Sequence, residues 1–118
     1  MSDETMAVVN RLNEAINRHD IDALMEAFSA DCVFENTAPP PDGGRFEGQD
    51  AVRGAWVQLF ADSADATFTT EEQFAAGDRV VSRWRYEWGG DEPGYVRGID
   101  VFRVRDGLVA EKVSYVKG

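Results

Sequence analysis

Apolar residues in the first half of the chain recur at the spacing of α-helices, in residues 3–18, 19–31 and 49–62. In the second of these segments, Asp20 precedes the apolar positions and is the predicted N-cap, while Phe28 lies inside the predicted helix. The pattern therefore predicts three helices, two of them joined by almost no linker.

The spacing changes to strict alternation further along the chain. Residues 32–36 predict a short strand, and the following residues 37–48 contain three prolines and three glycines, which are typical of a loop. Four consecutive strands are predicted at 66–77, 78–90, 94–107 and 108–118. Helices followed by an antiparallel meander predict one α+β domain over residues 1–118, with three helices packed on one face of a curved sheet.

Both faces of the predicted sheet carry apolar side chains. In the third long strand, Val96 and Phe102 point to one face, whereas Ile99 and Val101 point to the other. Three helices can cover only one face, and an apolar face left without cover marks a partner surface. The pattern therefore predicts a homodimer formed through the outer face of the sheet.

Charge and composition narrow the possible partners. The 118 residues carry a net charge of −10, which repels nucleic-acid backbones and anionic membranes. The single cysteine, Cys32, excludes an internal disulfide and fits a reducing compartment. The first residues contain neither a basic segment nor a long apolar run, so we expect a cytoplasmic protein. The sequence has no glycine-rich phosphate loop and no Cys/His metal spacing, so we expect neither a metal nor another cofactor.

Three segments together resemble the SnoaL-like proteins of the nuclear-transport-factor-2-like (NTF2-like) superfamily. They read AINRHDIDALMEAFSADCVFEN, FEGQDAVRGAWVQLF and GIDVFRVRDGLVAEKVSYVKG. The resemblance implies a conical α+β fold with an apolar pocket between the helices and the inner sheet face. The superfamily holds steroid isomerases, polyketide cyclases, epoxide hydrolases, dehydratases and non-catalytic binding modules, so the fold alone does not name an activity.

The resemblance and the alternation together place one set of side chains in the expected pocket. A small hydrophobic molecule, including one that bears a carbonyl group, is the expected ligand. Without the family, the aromatic members of the set would be interpreted simply as core. The predicted pocket residues are Asn36, Trp56, Phe60, Trp84, Tyr86, Trp88, Phe102, Lys112, Ser114 and Val116.

Asp100 is the one catalytic candidate. It lies in a strand "IDV" where the similar ketosteroid isomerases carry an oxyanion-hole aspartic acid that stays neutral. The other isomerase groups are missing, because Asn36 stands where the general base would be and an amide has no useful basicity. Leu12, Phe28 and Trp56 stand where those isomerases have tyrosines. Steroid isomerase activity is therefore not expected.

Two related activities can be assessed in the same way. The limonene-epoxide-hydrolase pattern needs an Arg-x-Asp pair and a further aspartate facing the pocket, where this chain has Ser82, Trp84 and Ser114. SnoaL-type cyclases use a pocket aspartate that is typically helped by a histidine. The only histidine, His19, lies between the first two predicted helices, where a solvated position is expected. Asp100 alone keeps the cyclase hypothesis open.

The turn "RDG" before the last strand leaves two registers open. A two-residue Asp-Gly turn pairs Arg105 with Leu108 and sets Asp100 opposite Val113. A three-residue turn with a glycine bulge sets Asp100 opposite Lys112 and turns both Lys112 and Ser114 inward. The second register keeps the two faces consistent and is the preferred one. Asp100 is then either the polar anchor of a pocket or half of an ion pair with Lys112.

Two functions follow as hypotheses. The first is a homodimeric pocket protein that binds a small hydrophobic metabolite. In an enzymatic form it would be a cofactor-independent isomerase, cyclase or lyase, with Asp100 as acid/base or oxyanion donor. The second is a non-catalytic ligand-binding or dimerisation module in which Asp100 is structural. An interior packed shut by its tryptophans would exclude the first hypothesis.

Overall fold

The computed structural model describes residues 2–117, and it gives no side-chain placement for Ser2. Three helices pack on one face of a six-stranded mixed sheet that does not close, which confirms the predicted α+β fold. The helices are α1 (Ser2–Arg18), α2 (Ile21–Ala27) and α3 (Gln49–Asp62). The strands are β1 (Phe28–Glu35), β2 (Arg45–Glu47), β3 (Thr67–Ala76), β4 (Arg79–Trp88), β5 (Gly94–Arg105) and β6 (Leu108–Val116).

The strand order in the sheet is β2-β1-β6-β5-β4-β3. Strands β3 to β6 form the predicted antiparallel meander. β1 joins this meander by pairing in parallel with β6, and β2 pairs with β1 as an antiparallel edge strand. The sheet is therefore mixed, and the first strand of the chain lies beside the last.

Two element boundaries differ from the prediction. The second helix ends at Ala27, and Phe28 begins β1 with extended backbone angles, because it pairs with Val109 of β6. Residues 45–47 were expected in a loop but form β2, whose Phe46 pairs with Phe34. In both places a long-range strand pairing overrides the local pattern. The predicted N-cap is confirmed, since Asp20 Oδ1 accepts a hydrogen bond from the Ala23 N–H at 3.1 Å.

The hairpin between β5 and β6 follows neither expected register in full. Asp106 and Gly107 both have positive φ, as a two-residue type I′ turn requires, and the turn pairs Arg105 with Leu108. One extra residue, Ala110, then shifts the register, so that Asp100 lies opposite Ser114 and not opposite Val113 or Lys112. The bulge turns Lys112 to the inner side, as the preferred register predicted, and Lys112 is buried there.

The core fills the space between the helices and the inner sheet face. Its largest fully buried side chains come from α1, α2, α3, β1 and β5: Leu12, Leu24, Trp56, Phe34 and Phe102. Within residues 2–117, no helix has the length and apolar character needed to cross a lipid bilayer. A cavity remains between α3 and the inner face of the sheet.

Candidate functional site

A cavity of about 830 Å³ opens between α3 and the inner face of the sheet. Seven aromatic rings from five elements, β1, β2, α3, β3 and β4, line its wall. These wall residues are Phe34, Phe46, Trp56, Phe68, Trp84, Tyr86 and Trp88. The volume falls in the range of small-molecule sites, and the wall is mostly apolar, as such sites are.

The aromatic wall is held by ring contacts and by one glycine. Phe34 stacks on Trp56 with ring centroids 4.9 Å apart, and Phe68 meets Trp84 edge-on at 5.3 Å. Trp84 of β4 pairs with Gly98 of β5. A Cβ atom on Gly98 would come within 2.5 Å of the Trp84 indole. Gly98 therefore gives the Trp84 ring its place in the wall.

Three polar side chains meet in the interior beside the aromatic wall. The Ser114 hydroxyl donates to Asp100 Oδ1 at 2.6 Å and accepts from the Lys112 ammonium at 3.0 Å. Lys112 Nζ lies 3.2 Å from Asp100 Oδ2. All three residues line the cavity, so the ion pair predicted as one of two alternatives for Asp100 is present beside it.

Lys112 also lies among aromatic rings. Its Nζ is 5.1 Å from the centroid of Phe34, 5.2 Å from that of Trp56 and 5.8 Å from that of Phe102. Such contacts favour a cation electrostatically, most strongly where water is excluded. A carboxylate, a hydroxyl and three rings thus surround the ammonium group, and its side chain is only 4 % exposed.

Two indole N–H groups near this cluster have no hydrogen-bond partner among the described residues. They belong to Trp56 and Trp84, which are 1 % and 6 % exposed and line the cavity. A buried donor without an acceptor is costly, because it has lost water and gained nothing in return. The site therefore has a surplus of donors over acceptors.

Nine of the eleven predicted site residues line the cavity. They are Asn36, Trp56, Trp84, Tyr86, Trp88, Asp100, Lys112, Ser114 and Val116. The structure does not place the other two there. Phe102 lies on the inner face but is fully buried in the core, and Phe60 turns toward His19, on which it stacks at 4.4 Å. His19 is therefore a half-buried stacking residue and not the solvated loop residue that was expected.

Asn36 lies at the cavity mouth and holds the adjoining loop by hydrogen bonds. Its Oδ1 accepts from the Gly44 N–H at 2.7 Å, and its own backbone N–H donates to the Gly44 carbonyl. A Cβ atom on the neighbouring Gly43 would overlap the Asn36 carbonyl. The side-chain oxygen of Asn36 is thus already used, which fits a structural role at the position where isomerases have their base.

The sequence pattern missed the contribution of α3 to the mouth. Val52 and Trp56 of this helix are buried, as its apolar spacing predicts. A second row of small residues, Ala51, Gly54 and Ala55, lines the cavity beside them. Small side chains give no strong periodic signal in the sequence. Their part in the cavity follows only from the position of the sheet opposite α3. Within residues 2–117, no group of three or more His, Cys, Asp or Glu side chains is arranged to hold a metal ion.

Three helices on an open, twisted six-stranded sheet with an apolar cavity between them define the NTF2-like class of fold. The family model of the SnoaL-like domain matches residues 9–112. The chain belongs to the SnoaL-like family. Among curated proteins, none matches this chain.

Similar solved structures agree with this assignment. An NTF2-like protein of unknown function from Mesorhizobium loti is 42 % identical, with a TM-score of 0.85 over 99 % of this chain and 93 % of that one. A Sinorhizobium meliloti protein proposed to be a polyketide cyclase is 24 % identical, with a TM-score of 0.77 over 92 % and 94 % of the two chains. An epoxide hydrolase from M. tuberculosis is 19 % identical, with a TM-score of 0.79 over 98 % and 84 %. The last two show the fold alone.

Proposed function

We propose that this protein binds a small, largely apolar molecule that carries at least one acceptor oxygen. The observation that supports this most directly is the cavity of about 830 Å³, whose aromatic wall meets the Asp100–Ser114–Lys112 cluster. Transfer of an apolar ligand from water to such a wall is favourable in proportion to the area buried. Membership of the SnoaL-like family, which binds small molecules, points the same way.

The polar end of the ligand follows from the donors that are left over. A lysine ammonium has three N–H groups, of which one bonds Ser114 and another faces Asp100. The indole N–H groups of Trp56 and Trp84 have no acceptor among the described residues. A carbonyl, hydroxyl or ether oxygen of the ligand would satisfy such donors. This surplus favours oxygenated ligands over plain hydrocarbons.

In the catalytic form of this proposal the cluster stabilises charge on the ligand oxygen. Lys112 would donate to an oxygen that gains negative charge, in an isomerase, cyclase or dehydratase type of step without a cofactor. Asp100 accepts from Ser114 and pairs with Lys112, so its part is to hold the ammonium in place, and not to act as a neutral donor. Tyr86 and Ser114 would orient the ligand.

A second candidate function is binding without chemistry. Both Asp100 oxygens are engaged within the cluster, and Asn36 offers an amide where related isomerases have a base. Such a closed ion pair also occurs in proteins that catalyse nothing. Binding with no change in the ligand after long incubation would favour this candidate, and a new product would favour the catalytic form.

Calorimetric titration with 1-tetralone and with tetralin tests the proposal. The two probes share their rings and differ in one carbonyl oxygen, and we expect 1-tetralone to bind more tightly. Ala51→Phe, which fills the cavity mouth from α3, should weaken binding of both probes. Val57→Phe is the matched control, because Val57 is exposed on the same helix and lies away from the cavity. Equal affinity of the wild type, A51F and V57F would show that the cavity is not the site.

We also propose that the protein forms a homodimer through the outer sheet face. Val81, Val101 and Val113 lie in one row across three strands of that face, each partly exposed. Tyr115 and Tyr95 are 57 % and 51 % exposed on the same side, and Arg85 stacks on the Tyr95 ring at 3.7 Å. Light scattering should give a dimer mass that Tyr115→Lys reduces and Val57→Lys does not. A monomer in the wild type would refute this.

A further inference from the structure

The chain uses its two kinds of basic side chain differently. The chain has two lysines, Lys112 and Lys117, and ten arginines. Arginine supplies every surface ion pair found among residues 2–117, whereas the one buried ion pair uses Lys112. The two side chains are not equivalent, since a lysine amine can lose its proton and act as a nucleophile, and a guanidinium cannot.

The surroundings of Lys112 suit that chemistry. Its side chain is 4 % exposed and lines the cavity. A buried lysine amine that can pass a proton to a neighbouring acceptor can act as a nucleophile. A proton acceptor stands within reach, since Asp100 Oδ2 is 3.2 Å from Nζ, and the Ser114 hydroxyl joins the two groups by a second path.

We propose that Lys112 is a covalent capture site that forms a protonated Schiff base with a largely apolar aldehyde in the cavity. The inference rests on the proposed function, because the aldehyde must first enter the cavity. It goes further in naming a reactive class of ligand and the atom that bonds to it.

The step balances without any further reagent. One Nζ proton moves to Asp100, and the amine lone pair attacks the aldehyde carbon as the carbonyl π bond breaks. A second Nζ proton moves to the new alkoxide and gives a neutral carbinolamine. The nitrogen lone pair then forms the C=N bond, the C–O bond breaks, and the departing hydroxyl takes the proton from Asp100 and leaves as water. The products are a protonated imine, an Asp100 carboxylate and one water molecule.

The charge of the cluster is the same before and after this step. An ammonium becomes an iminium at the same position, so the carboxylate of Asp100 and the rings of Phe34, Trp56 and Phe102 continue to face a cation. The surroundings of the ammonium group therefore also suit the cationic product. Aqueous imines hydrolyse readily, and the small exposure of this site limits access of water to the new bond.

Reductive trapping tests the inference within one molecule. The native protein is incubated with 2-naphthaldehyde and cyanoborohydride, and the adducts are located by peptide mass spectrometry. Lys117 is exposed and, with the terminal amine, serves as the internal standard. We expect Lys112 to be labelled roughly tenfold or more over Lys117, because the cavity holds aldehyde and amine together. In urea the preference should vanish.

Two controls keep the possible results apart. Lys112→Arg keeps the charge and should give no adduct at position 112, while the label on Lys117 is unchanged. Titration with 2-naphthylmethanol, which has an oxygen but cannot form an imine, measures entry into the cavity without any covalent step. If 2-naphthylmethanol binds while native Lys112 is labelled no faster than Lys117, the Schiff-base inference is overturned and the proposed function stands. If neither probe binds nor reacts, both are overturned.

Discussion

Lys112 and Asp100 form an ion pair in the interior, with 3.2 Å between Nζ and Oδ2 and side chains that are 4 % and 6 % exposed. Water has little access to either charge, so each charge depends mainly on the other and on Ser114. Ser114 belongs to the same group, since its hydroxyl bridges the two. Variants of this pair therefore test how much the polar cluster contributes to the stability of the fold.

Removal of one partner should cost more than removal of both. Lys112→Met leaves a buried carboxylate unpaired and should lower the free energy of unfolding by about 3–5 kcal/mol. The double variant Lys112→Met/Asp100→Leu should recover most of this loss. Urea unfolding measures all three proteins, with Lys117→Met as an exposed control that should change little. Equal losses for the single and double variants would contradict a mutual dependence.

Two glycines should respond to alanine in opposite directions. Gly54 lies within α3, where a Cβ atom would meet nothing within 4 Å. Gly54→Ala should therefore raise the free energy of unfolding by roughly 0.5–1 kcal/mol through helix propensity. At Gly98 a Cβ atom would come within 2.3 Å of the Tyr115 carbonyl and 2.5 Å of Trp84, so Gly98→Ala should destabilise by about 1–3 kcal/mol. Thermal unfolding distinguishes the two, and a stabilising G98A would show that Trp84 is not held as described.

The Cys32 thiol should be inert in the folded protein. Burial raises the pKa of this thiol above its ordinary value of 9.0, and the side chain is fully buried. The thiolate is the reactive form, so both effects slow thiol reagents. We expect reaction with a disulfide dye to be much slower for the native protein than in urea. Fast native labelling would mean that β1 opens readily.

Asp31 should make the protein less stable in acid. The Ser29 hydroxyl first, and the Arg105 guanidinium second, hold the pKa of this carboxyl below its ordinary value of 3.8. A pKa lowered by folding means that the carboxylate stabilises the folded state at neutral pH, and this contribution is lost as pH falls through the folded pKa. The wild type should therefore be more stable to unfolding than Asp31→Asn at neutral pH, and this difference in stability should vanish in strong acid.

Urea midpoints measured as a function of pH test this sign. Ser29→Ala removes the principal cause of the lowered pKa and should move the carboxyl titration of Asp31 back toward 3.8 by carbon NMR. An Asp31→Asn protein whose deficit grows as the pH falls would contradict the assignment.

The helices and the meander were predictable because the apolar residues of each recur at a regular spacing. The alternation along β5 placed Asp100 and Phe102 on the inner face, where both lie buried. Phe28 was misplaced because its local apolar spacing suits a helix, while its partner in the fold is Val109, far along the chain. Its backbone follows the long-range pairing.

The details of the site were less predictable. The bulge at Ala110 has no sequence signal, yet it decides that Asp100 faces Ser114 and that Lys112 reaches the inner side. The role of Gly98 depends on its being opposite Trp84, a relation between two strands that no local pattern records. Phe60 is an error of another kind. It was expected to line the pocket, but its ring stacks on His19.

The parallel pairing of β1 with β6 has a consequence for how the protein is made. A ribosome releases β1 early and β6 after the other described strands, so the edge of β1 that pairs with β6 stays unpaired until β6 is available. Contacts between such distant segments form slowly, because a long stretch of chain must close around them. β6 also carries Lys112 and Ser114. The last strand to dock therefore completes the sheet and its polar cluster in one event, and a partly folded chain has neither.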